Sequence, residues 1–246
     1  MEFVKFMNEN KELPHENIKE KLEKKYKLRV ILDYSNKFYM VKSTNFSDFK
    51  NPLVRQCTGI IVNKEDNKIL HYFGEKTYDT LNNFNNNIIE KNKINVKNCF
   101  ISAYINGYII KVFYYNNEWI FASTKHTNIK YFKINNVSLY SMFKSCILES
   151  FNDIQDFLNL LNNNYCYTFM FNENKNNIYF INKVFLDDLV EDFNLNNFKS
   201  LNSYINISNL HDENKFIIIE KENGKIIKKI CLSGKHAKAL ISNFTE

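Results

Sequence analysis

The residues of this 246-residue chain that could do chemistry are few and widely scattered. Its histidines, His15, His71, His126, His211 and His236, stand apart from any cysteine pair and from an H-E-x-x-H spacing, so neither a zinc site nor a catalytic triad can be written. Each reads as an ordinary polar residue. Cys57, Cys99, Cys146, Cys166 and Cys231 are odd in number and form no C-x-x-C pair, which points to a reducing compartment and a cytoplasmic location. The glycines, Gly59, Gly74, Gly107, Gly224 and Gly234, allow neither G-x-G-x-x-G nor a Walker loop, excluding the common phosphate-cradling motifs. The acidic run Asp187-Asp188-Leu189-Val190-Glu191-Asp192 could hold a divalent cation but reads better as a solvated helix start, and no metal is expected.

Lysine remains. Lys and Arg total 33 against 27 Asp and Glu, a net charge of +6 that favours a polyanionic partner. That bias needs discounting, because 41 Asn stand beside two Arg and four Ala, with abundant Lys, Ile, Phe and Tyr. All the enriched residues have AT-rich codons, so the skew reads as the mark of an AT-rich genome, such as that of a virus, plasmid, symbiont or organelle. Hydrophobic residues make up 44% of the chain, which is typical of a globular protein. The N-terminus lacks the apolar run of a signal peptide, and no stretch approaches the length of a membrane span.

The elements that must position these groups follow from periodicity. Residues 16–27 carry Ile18, Leu22 and Tyr26 four apart among charges, an exposed amphipathic helix after Pro14 within an N-terminal helical extension, 1–27. Residues 28–34, 38–41, 59–62 and 68–73 alternate as strands, with a polar turn at 63–67. Residues 81–98 form an Asn-rich surface connection, and 100–127 should be two or three consecutive antiparallel strands split at Asn106-Gly107 and Asn116-Asn117. From Ser138 as N-cap to Leu161, apolar residues at three- and four-residue steps predict one long helix. Strands at 165–171, 178–184, 216–220 and 226–232 complete an α+β pattern, the last two joined across Asn223-Gly224. Residues 28–246 are expected to form a single domain.

Taken in order, several stretches form a ladder. They are Val54-Arg55-Gln56-Cys57-Thr58-Gly59-Ile60-Ile61-Val62, Glu75-Lys76-Thr77-Tyr78, Tyr104-Ile105-Asn106-Gly107, Ser123-Thr124-Lys125, Tyr167-Thr168-Phe169-Met170-Phe171, and the strand pair holding Ile217 and Lys228. From Leu28 to Leu240 this order resembles the motif ladder of phage-type, tRNA-repairing RNA ligases, members of the covalent nucleotidyltransferase superfamily. The resemblance implies an antiparallel-sheet adenylation domain with a long helix between strand groups. It also implies a chemistry in which the lysine of K-x-D-G attacks the α-phosphate of ATP.

The departures from that pattern fall on the chemistry. The nucleophilic lysine falls on Tyr104 and the neighbouring aspartate on Asn106, while Gly107 is kept. The arginine of C-R-G-I becomes Thr58, the glutamate of F-E-F becomes Met170, and that of E-G-x-V becomes Asn214. Of the paired terminal lysines only one, Lys228 or Lys229, takes a family position. Lys111, seven residues beyond Tyr104, is not placed to replace the nucleophile. The resemblance puts Lys76, Lys125 and Lys228 or Lys229 at phosphate contacts and Phe171 beneath the nucleotide pocket, against the plain alternatives of solvated lysines and a core phenylalanine.

The expectation is therefore a pseudoenzyme without a required cofactor, in which ATP or GTP could bind but not be transferred. It would bind RNA, either tRNA or cleaved ends, and could give immunity against an RNA-cleaving toxin. The alternatives are a protein-interaction or toxin-inhibiting subunit that uses the fold as scaffold, and an active ligase or capping-type enzyme.

Overall fold

The computed structural model describes residues 1–74, 78–79, 99–103, 107–172, 177–187, 189, 191–192, 215–222 and 225–233. The chain is mixed α and β with predominantly antiparallel sheets and divides into two compact units, 1–74 with 107–203, and 75–106 with 204–246.

In the first unit, α1 (Glu2–Glu9) and α2 (His15–Tyr26) precede the sheet. The helical character of 1–27 holds, but the helices are part of the core. Phe3, Ile18 and Leu22 are fully buried, and the Phe3 amide donates to Gln56 Oε1 at 2.9 Å. Strands β1 (Arg29–Leu32), β2 (Phe38–Lys42), β3 (Thr58–Asn63) and β4 (Ile69–His71) form a meander in that order, with α3 (Pro52–Gln56) between β2 and β3. Asn51 caps α3 by accepting from the Leu53 amide.

A second sheet of this unit contains β7 (Tyr108–Tyr115), β8 (Glu118–Ser123), β11 (Tyr165–Asn172), β12 (Asn177–Phe185) and β13 (Glu191–Asp192), ordered β13-β12-β11-β7-β8. Its two faces serve different cores, as strand alternation requires. Ile110, Val112, Tyr167, Phe169 and Phe171 pack with α4 (Leu139–Leu148) and α5 (Ile154–Leu158). Phe113, Ala122 and Cys166 belong to the core of the four-stranded sheet. A bulge at Ile181, where Thr168 pairs with Asn182 but Phe169 pairs with Phe180, lets Phe180 join the first core and Val184 the second. The short hairpin β9 (Lys133–Ile134) and β10 (Val137–Ser138) leads into α4.

The second unit is a four-stranded sheet ordered β5-β15-β14-β6, built from β5 (Tyr78–Asp79), β6 (Cys99–Ala103), β14 (Lys215–Glu222) and β15 (Lys225–Ser233). Strands β14 and β15 pair antiparallel as expected, and β5 adds in parallel; the expected turn at 223–224 lies outside the described residues.

Three expectations are corrected. The helix over 138–161 is two helices, because Asp153 accepts from the Asp156 amide and starts a new one. The interruption keeps the apolar period useful, since Phe151 packs edge-on against Phe157 at 5.7 Å. The strands on either side of Asn106-Gly107 are not a hairpin pair: β6 pairs with β14, and β7 with β8 and β11, so they belong to different sheets. Asn116 and Asn117, by contrast, form the expected two-residue turn, with φ of 52° and 62°. The acidic run ends in strand β13, paired with Lys183 and Val184, and is not a helix start. The connection 81–98 lies outside the described residues.

Gly107 has a steric role. A Cβ there would collide with the backbone carbonyl of Phe171, which β11 holds in register opposite Tyr108. Gly107→Ala is expected to cost about 1–3 kcal/mol, read from urea unfolding; an unchanged midpoint would contradict this tight approach.

Candidate polyanion-binding surface

The β1–β2 hairpin sets Arg29 directly opposite Lys42. Like charges opposed across a strand pair destabilise it, and no ion pair relieves them among the described residues. Lys42 in turn lies opposite Thr58 on β3. A third cation comes from the loop after β8, which folds back on Ser123: its hydroxyl accepts the amides of Lys125 at 3.2 Å and His126 at 3.0 Å. The Lys125 side chain is exposed.

Electrostatics shows that these groups share one region. Partial burial, followed by the charges of Arg29 and Lys125, pushes the Lys42 amine below the usual lysine range. Burial, then Lys125 and Lys42, likewise lowers the His126 imidazole, whose ring stacks on Phe132 at 3.9 Å. A half-buried lysine repelled by two exposed cations is a ready seat for phosphate oxygens.

Behind this surface lies a buried polar centre. Strand β3 bulges at Gly59, since Val41 pairs with Ile60 and Lys42 with Thr58, and Gly59 takes φ of 101°. A bulged residue drops out of the ladder. Its carbonyl accepts from Lys111 Nζ at 2.5 Å, and a Cβ at Gly59 would occupy the space of that amine. Lys111 has no exposed surface, and burial pushes its amine down to about 7, with the Lys42 charge adding to the effect and Cys166 opposing it.

Among the described residues Thr168, opposite Lys111 on β11, has no hydrogen-bond partner for Oγ1, nor has His71 for Nδ1. The other His71 nitrogen, Nε2, sits 3.1 Å from the Tyr167 carbonyl. Burial, with the charge of Lys111 second, holds the His71 imidazole well below its usual range. The centre is thus kept near neutrality. It could supply an unprotonated amine, but the amine is enclosed and already donating.

The positions singled out by the family resemblance are distributed as follows. Thr58 donates to the Gly74 carbonyl at 2.8 Å, so the hydroxyl in the arginine's place braces the chain. Met170 is half-buried on β11. Phe171 is fully buried, packed on Phe143 at 5.8 Å and Tyr108 at 5.3 Å, and presents no surface on which a base could stack. Lys228 and Lys229 lie on β15 opposite Glu220 and Ile219. Tyr104, Asn106, Lys76 and Asn214 lie outside the described residues. Among the described residues no cluster of three or more His, Cys, Asp or Glu could hold a metal, and no helix is long and apolar enough to cross a membrane.

Of the expected lysines, then, Lys125 joins a charged surface. Arg29 and Lys42 were not foreseen, although their pairing could be inferred from two strands closing symmetrically on the turn around Ser35. A scan against protein-family models finds no match, and no curated protein matches the chain.

Proposed function

We propose that this chain is an RNA-ligase-like pseudoenzyme that binds RNA through Arg29, Lys42 and Lys125 and forms no lysyl-nucleotide. The observation that carries the RNA-binding reading is the opposition of Arg29 and Lys42, without an ion-pair partner among the described residues, whose cost to the hairpin is offset when phosphates sit between them. The motif ladder supplies the nature of the polyanion. Tyr104 stands where the nucleophile would be, and a phenol, ionising near ~10, is a poor substitute for a lysine whose pKa is lowered by its site. Lys111 has a lowered proton affinity but is enclosed, which supports a bracing role in place of a nucleophilic one. Cys57, Cys146 and Cys166 form no disulfide among the described residues, which supports a cytoplasmic setting.

The test of the pseudoenzyme reading is incubation with α-labelled ATP or GTP and Mg²⁺ or Mn²⁺, followed by denaturing electrophoresis. No labelled band is expected beside an active-ligase control. A band that survives denaturation and disappears in Lys111→Met would make Lys111 the nucleophile and overturn the proposal. In a cell, an RNA-binding protein of this kind would shield tRNA from an anticodon nuclease; unchanged tRNA cleavage on coexpression would count against that role.

A further inference from the structure

The loop that presents Lys125 is tied to the turn after β1, because Thr127 Oγ1 donates to Asp33 Oδ1 at 3.0 Å. The Asp33 carboxylate also accepts from the Ser35 amide and hydroxyl, so the turn is held from both sides. On these two linked segments stand Tyr34 and Tyr131, 89% and 70% exposed, with ring centroids 6.4 Å apart and planes at 72°. Between the segments opens a cleft of about 410 Å³, also lined by Tyr115, Asn116, Glu118 and Asn128.

Two exposed tyrosine rings are poorly explained by folding, since neither is buried in either core cluster. Their faces suit a flat π-system. The polar lining matches the edge of one. Glu118 is an acceptor for an exocyclic amine, and the side-chain amides of Asn116 and Asn128 both donate and accept. A phosphate fits poorly, because Asp33 and Glu118 outnumber the one lining lysine, Lys37. A neutral base with an amino edge fits well, and the cations that would hold its backbone lie on the same hairpin and the same loop.

We infer that the cleft bounded by Tyr34 and Tyr131 is a stacking site for an unpaired nucleobase of the RNA strand whose phosphates lie on Arg29, Lys42 and Lys125. This rests on the RNA-binding reading. Arg29 opens β1 and Tyr34 lies in the turn beyond its far end, with the strand alone spanning roughly 10 Å at the usual rise, so phosphate and base would belong to different nucleotides of one strand.

The test compares short single-stranded oligoadenylate with an abasic ribose-phosphate oligomer of equal length, both at low salt, on the wild type and on the double variant Tyr34→Ala/Tyr131→Ala. Both positions are exposed, so the variant should fold. The wild type should bind oligoadenylate about tenfold or more tightly than the abasic oligomer. The double variant should lose that preference and bind the abasic oligomer as before.

If the wild type binds both oligomers equally, or the variant keeps the preference, the base site is elsewhere or absent and RNA binding stands without it. If the wild type binds neither, the RNA-binding reading itself fails. A polyarginine peptide provides the control for a cationic occupant of the aromatic, carboxylate-lined cleft; binding of that peptide abolished by the double variant, with oligoadenylate affinity unchanged, would overturn the nucleobase assignment.

Discussion

Replacing Arg29, Lys42 and Lys125 together by glutamine is expected to weaken tRNA binding about a hundredfold at low salt, from roughly 1 kcal/mol per lost charged contact. The same variant should be no less stable than the wild type, and slightly more so, because Arg29 and Lys42 face each other across the β1–β2 pair with no acid to relieve them among the described residues. The two results together carry the meaning. A surface lysine that merely keeps the protein soluble would affect neither strongly. A cation bound into the fold would lower stability when removed. Thermal unfolding and filter binding on one preparation separate these cases, and a variant that binds as the wild type does would remove the cation surface from any role in recognition.

The second large effect concerns Lys111. Its amine titrates near 7 in the folded chain because of burial, whereas an unfolded lysine titrates near ~10.4. Between those values the unfolded state carries a proton that the folded state lacks, so stability rises with pH by about 1.4 kcal/mol per unit. Below the folded value the penalty is constant, and above the unfolded value it vanishes. The full span is on the order of 5 kcal/mol.

Lys111→Met removes this dependence while keeping most of the volume. It also leaves the Gly59 carbonyl without the bond that Lys111 gives it at 2.5 Å, a loss of about 1–3 kcal/mol. The methionine variant should therefore be the more stable protein near pH 7 and the less stable one near pH 10. Urea unfolding of both proteins over that range measures the difference between them, from which the tyrosine and cysteine titrations common to both largely cancel. A difference that does not change with pH would mean that Lys111 is not buried as described. His71 acts on the acid side: its lowered proton affinity removes stability as pH falls below the ordinary histidine range.

Much of the first unit was legible in the sequence because its strands alternate and its turns are marked by asparagine. Asn116-Asn117 closes the β7–β8 hairpin with both residues at positive φ, and the strands at 165–171 and 178–184 differ from β11 and β12 only at their ends. The failures have local physical causes. Asp153 supplies a capping carboxylate in the middle of an unbroken apolar period, so periodicity alone reads one helix where there are two. The strands expected to pair on either side of Asn106-Gly107 belong to different sheets, and Gly107 is explained by its approach to the Phe171 carbonyl, which no sequence pattern displays.

The candidate surface was less visible because lysine is everywhere in this chain, and abundance hides a functional cluster. What distinguishes Arg29, Lys42 and Lys125 is cross-strand register and a loop held by Ser123, both properties of the folded chain. Lys111 had a clearer signal, a lysine inside the apolar run from Ile109 to Phe113; spacing from Tyr104 ranked it low as a nucleophile, and its enclosure at Gly59 gives it a bracing role.

The most direct test of an RNA-binding role is the affinity of the wild-type chain for intact and anticodon-cleaved tRNA across a series of salt concentrations. Affinity should fall steeply, with a logarithmic slope that becomes shallower by about 2 in the Arg29, Lys42 and Lys125 triple variant, as three lost phosphate contacts on single-stranded RNA require. An affinity indifferent to salt, or a slope that the triple variant leaves unchanged, would contradict it.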